Sequence, residues 1–104
     1  MTRFVQITTT VENKGDANTI AAHLLEQRLV ACVQISKCTS MYHWQGTLEN
    51  TDEYVLVMKT KVALFLSVQK ILEEIHPYDV PEILATEVIT GNASYLEWLE
   101  QELL

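Results

Sequence analysis

The chain has 104 residues, which suits one domain of the usual size of about 100 to 150 residues, and at 48% apolar it can fill a core. Fourteen acidic against seven basic residues give a formal charge of −7, which argues against electrostatic binding to nucleic acid or to anionic lipid. No apolar run approaches the roughly 18 residues of a membrane span, and the start does not read as a secretory leader, so the expectation is a cytoplasmic protein with reduced cysteines.

No repeat, linker or low-complexity tract interrupts the chain, which reads as a single domain over residues 1–104. "RFVQITTTV" (Arg3 to Val11) is β-branched and alternating, hence a strand. Asp16 is the expected cap of a helix whose apolar stripe is Ala17, Ile20, Ala21, Leu24, Leu25 and Leu29, ending near Arg28. "VACVQIS" (Val30 to Ser36) alternates again, "TSMYHWQG" continues it, and Gly46 permits a reversal into "YVLVMKT" (Tyr54 to Thr60), which is apolar on both faces. A second stripe, Leu64, Phe65, Val68, Ile71, Leu72 and Ile75, predicts a helix that Pro77 brings to an end. "EILATEVIT" (Glu82 to Thr90) is a strand, and Asn92 opens a short last helix with Tyr95, Leu96, Trp98, Leu99 and Leu103.

The order β-α-β-β-α-β plus a terminal helix is the α+β, ferredoxin-like split βαβ arrangement, with an antiparallel sheet and both long helices on one face. The other face then lacks an obvious cover, and further copies of the chain supply one most simply. Cys32 and Cys38 share a strand and would lie roughly 20 Å apart. A disulfide needs less than about 7 Å between Cα atoms, so the two cannot pair within the chain.

Four segments in order, "ANTIAAHLLEQRLVACVQI", "SMYHWQGTLENTDEYVLVMKT", "HPYDVPEI" and "GNASYLEWL", resemble the CutA divalent-cation-tolerance family across residues 4 to 102. The resemblance implies a tight homotrimer built like the PII signalling proteins. It also implies a role in tolerance of divalent cations and the response to metal ions, with copper binding in some bacterial members. Those members use a cysteine near the end of the first strand and a His-His pair before Pro-Tyr. Here the corresponding residues are Thr8, Ile75 and His76, so one ligand of three is present.

His76 is accordingly a candidate metal ligand, or else a cap on the end of its helix. Met41 and His43, two apart on one strand face, could share Cu(I). Cys38 and His43 could each build a site by meeting their copies at a threefold axis. Tyr42, Trp44, Glu53, Lys59, Tyr78 and Glu82 coincide with the family's motifs, and in related trimers such residues line a cleft between subunits. That set fits a subunit interface first, and beside it a pocket for a small polar or anionic ligand, with Lys59 supplying charge. There is no G-x-S-x-G, P-loop, H-E-x-x-H or C-x-x-C, and the expectation is a protein that is not an enzyme and carries no organic cofactor. The competing expectations are a metal-tolerance trimer, a PII-like sensor, and a structural trimer that presents an interaction surface.

Overall fold

The structure, a computed structural model, describes residues 2–104. Its elements are β1 (Phe4–Val11), α1 (Lys14–Glu26), β2 (Cys32–Trp44), β3 (Thr47–Lys61), α2 (Phe65–Ile75), β4 (Leu84–Val88) and α3 (Ala93–Glu102), with a single 3₁₀ turn, Val62–Leu64, leading into α2. The four strands form one antiparallel sheet in the order β2-β3-β1-β4, the ferredoxin-like arrangement expected from the element order.

Alternation along the strands decides which side is core. Val5, Ile7, Thr9 and Val11 of β1 and Leu56 and Met58 of β3 face the long helices and are buried. Ala17, Ile20, Ala21 and Leu24 of α1 and Val68 and Leu72 of α2 close over them. Burying an isoleucine or leucine of this kind stabilises by about 1.5–3 kcal/mol. Leu25 and Ile75, which the periodicity assigns to the stripes, lie 40% and 37% exposed. Each sits at the end of its helix, where the apolar arc has turned away from the sheet.

The ends of α1 differ from expectation. Its cap is Asn13, whose Oδ1 accepts from the Asp16 amide at 2.8 Å, while Asp16 lies in the first turn. The helix closes at Glu26 in a Schellman motif: the Leu29 amide bonds to Leu24 O and the Arg28 amide to Leu25 O. Arg28 takes the left-handed position (φ 56°) that glycine usually fills.

The sheet face opposite α1 and α2 is not bare. Helix α3 covers its near end, where Lys61 Nζ meets Glu100 Oε1 at 3.0 Å and Lys59 Nζ meets Tyr95 Oη at 3.2 Å. Phe4, Leu99 and Leu103 are buried outside the main core.

The far end of the sheet is a ribbon. β1 stops at Val11, opposite Tyr54, and from there Thr47–Glu53 pairs only with β2. The reversal at its tip has φ of 50° at Gln45 and 82° at Gly46, as a type I′ hairpin turn requires. The ribbon sets the shape: the molecule measures 45 × 25 × 21 Å, and fifteen residues of β3 rising about 3.3 Å each account for the long axis.

Candidate functional site: a groove beneath the projecting ribbon

"HPYDVPEI" runs from the end of α2 past the end of β1 toward β4, and its two prolines favour an extended path. Between this link and the ribbon lies a groove of about 640 Å³. Tyr42 and Trp44 come from β2, Glu49 and Glu53 from β3, and Tyr78, Asp79 and Glu82 from the link; Met41, Ser40, Thr10 and Val80 complete the lining.

Glu53 is 5% exposed, although it is a carboxylate on a strand. Tyr78 Oη donates to its Oε2 at 2.6 Å, which meets part of the cost of burying the charge. Burial, followed by the hydrogen bond to Glu53 and that group's charge, holds the Tyr78 phenol well above its ordinary pKa. The phenol is therefore a donor throughout the neutral range.

His76 sits behind this wall and is buried. Its main-chain N–H caps α2 by bonding to Leu72 O at 2.8 Å. The ring accounts for both its nitrogens. Nδ1 accepts the Tyr78 amide at 3.1 Å, and since an amide N–H can only donate, the ring proton belongs on Nε2. Nε2 lies 3.0 Å from both Thr10 O and Thr9 Oγ1. Burial depresses the ring's pKa against three opposing effects, the bond to Thr10 and the charges of Asp16 and Glu53.

This geometry redistributes the candidate residues. His76 has no nitrogen lone pair free for a metal. Thr8 lies on the opposite face of β1 from Thr9, which His76 touches, so the family's copper-ligand positions do not converge here. Cys38 pairs with Glu53 across β2 and β3, and its Sγ is 3.7 Å from Ser40 Oγ. His43 pairs with Leu48 near the ribbon tip, and Met41 beside it is 65% exposed. Among the described residues no three His, Cys, Asp or Glu side chains are grouped to hold an ion. A copper ion therefore does not fit the ligands of one chain.

Five of the six expected cleft residues do come together: Tyr42, Trp44, Glu53, Tyr78 and Glu82 all line the groove. Lys59 does not. Its ammonium lies over the Tyr95 ring, 5.2 Å from the centroid, under α3. With Lys59 gone the lining holds, among the described residues, four carboxylates, from Glu49, Glu53, Asp79 and Glu82, and no basic side chain. Thr9 and the Thr10 carbonyl were missed in the sequence, where three consecutive threonines look like ordinary β-branched strand. Among the described residues no helix is long and apolar enough to cross a membrane.

The family profile described as CutA1 divalent ion tolerance protein matches residues 5–102. The divalent-cation tolerance protein CutA of Thermus thermophilus is 42% identical over 93 residues, covering 88% of this chain and 90% of that one. The crystal structure of CutA1 from Oryza sativa matches with a TM-score of 0.95 at 32% identity, over 98% of this chain and 94% of that one. The periplasmic divalent cation tolerance protein CutA of Archaeoglobus fulgidus matches with a TM-score of 0.91 at 31% identity, over 98% of both chains. By sequence over nearly its whole length, and by fold, the chain belongs to the CutA divalent ion tolerance family.

Proposed function

We propose that the chain works as a homotrimer in tolerance of divalent cations, in the cytoplasm, as a binding protein and not an enzyme. The observation that carries the trimer is the ribbon. Two strands alone are marginally stable in water, yet this pair extends well beyond β1 and carries Met41, Tyr42, Trp44 and Leu48, all at least 41% exposed. The outer edges of β2 and β4 offer unpaired backbone, with Leu84 at the start of β4 and Ile89 just past its end both exposed. Head-to-tail contacts between such edges give a closed ring when the rotation from copy to copy closes.

In this reading copper or another divalent cation is held between copies, because one chain does not gather enough ligands. Cys38 and His43 remain the residues for such a shared site. Nucleic acid and membranes are not partners, in keeping with the charge of −7.

Native mass measured with and without Cu²⁺ and Zn²⁺ tests the reading. A trimer that takes up metal, loses it on Cys38→Ser or His43→Ala, and keeps it on His76→Ala supports it. A monomer, or a trimer indifferent to both ions, overturns it.

A second reading, a PII-like sensor, is favoured by the groove itself, which joins aromatic walls to a few directed polar groups. Its ligand would not be an anion, because Lys59 faces elsewhere and the lining is acidic. A thermal-shift screen of small polar and cationic metabolites separates this sensor from a purely structural trimer.

A further inference from the structure

His76 joins three parts of the molecule. Its main chain ends α2, its Nε2–H points to β1 at Thr10 O and Thr9 Oγ1, and its Nδ1 holds the amide of Tyr78. Tyr78 then reaches forward to Glu53 and lines the groove. The contact between ring and link has only one polarity. Nδ1 can hold the Tyr78 N–H while it carries a lone pair, and it cannot once it carries a proton.

We propose that His76 is a proton-operated latch on the groove wall: a proton from solvent, bound at Nδ1, sets two N–H groups against each other, frees the Tyr78 segment and loosens the Tyr78–Glu53 closure. The chemistry is one proton gained and one hydrogen bond broken, with no other bond made or lost. The bond from Nε2–H to Thr10 O survives protonation, so the ring stays anchored to β1 while its hold on the link is lost. This assigns regulation to the groove proposed above as the ligand-facing site. The latch itself does not depend on what the groove binds.

The charged groups that act on the ring come from other elements. Asp16, in the first turn of α1, and Glu53, on β3, both favour the protonated ring. Tyr78 packs against it with centroids 4.9 Å apart and remains a neutral phenol. Glu73 and Glu74, on the ring's own helix, are exposed. Against Asp16 and Glu53 stands the burial of the ring, which keeps it neutral until the medium is acidic.

The test reads the wall with no ligand present, so it is separate from any binding result. Trp98→Phe leaves Trp44 as the one tryptophan, and Trp44 lines the groove. In that background, His76 ring nitrogens and the Tyr78 amide are followed by NMR from about pH 8 to about pH 4, across the histidine range, alongside Trp44 emission. The latch predicts that the ring passes from the Nε2–H form to the doubly protonated form in one step. Tyr78 amide shift and Trp44 emission should move with the same midpoint, and the protection of that amide, taken relative to its intrinsic exchange rate at each pH, should fall at least tenfold below it. His76→Gln should abolish the step in both reporters. A ring that titrates while Tyr78 and Trp44 stay still overturns the proposal, as does a step that persists at the same midpoint in His76→Gln, which assigns it to another group. If His76→Gln does not fold, the comparison of midpoints in the Trp98→Phe protein decides alone.

Discussion

Tyr78 Oη donates to Glu53 Oε2 across 2.6 Å, and Glu53 is the residue at which the ribbon leaves the support of β1. The bond therefore ties the proline-bounded link to the root of the ribbon. Removing the hydroxyl strands a buried carboxylate. Tyr78→Phe is expected to cost about 1.5–3 kcal/mol in urea unfolding, the range for a hydrogen bond to a charged group. Glu53→Gln keeps an acceptor and should cost less. Equal losses would show that the charge, and not the bond, holds the wall.

Stability should fall on acidification because of His76. Its folded pKa lies below the ordinary value near 6.5, so in the window between the two the unfolded chain binds more protons. The contribution is complete above about pH 6.5 and is lost progressively as pH falls toward the folded value, below which it stays lost. Chemical denaturation at a series of pH values should show this decline, and His76→Gln should flatten that part of the curve. A decline of unchanged size in the variant assigns it to carboxylates instead.

The core and the surface of α2 should respond very differently to truncation. Leu72 is fully buried between α2 and the sheet, and Leu72→Ala should cost about 2–5 kcal/mol. Leu66, on the same helix, is 76% exposed, and in the isolated chain Leu66→Ala should stay within about 0.5 kcal/mol of the parent. A large loss at Leu66 would indicate that a further copy or partner covers that side of α2.

The hairpin tip should be improvable. Gln45 holds φ 50° without being asparagine, aspartate or glycine, so Gln45→Asn is expected to gain a few tenths of a kcal/mol. Gly46 has open space around its Cα, yet its φ of 82° alone should make Gly46→Ala cost about 1 kcal/mol. Thermal melts of the pair check both signs.

Element order and type could be read along the chain because each long element repeats its own period, as in Ile7 to Val11 or Val68 to Leu72. What escaped depended on contacts between distant segments. The sequence places His76 beside Pro77 and invites comparison with metal-binding histidines. It does not reveal that the ring turns toward Thr10 and takes the amide of Tyr78. Lys59 shares a strand with Glu53, but α3, added later in the chain, draws its ammonium to Tyr95. The choice of Asn13 over Asp16 as cap was a local ambiguity between two good capping residues three apart. Ile75 fits the helical period and misses the core because the helix ends there.

β1 is the first strand in the chain, yet it lies in the sheet between β3 and β4. Its pairing with β3 must wait for α1 and β2, and its pairing with β4 joins residues as distant as Phe4 and Val88. Chain entropy is surrendered before those contacts return anything, so assembly of the β1 seams should limit the folding rate, with β1–β4 closing last. Until it closes, β1 presents a run of β-branched residues with one free edge, and that interval is when two nascent chains are most apt to pair wrongly.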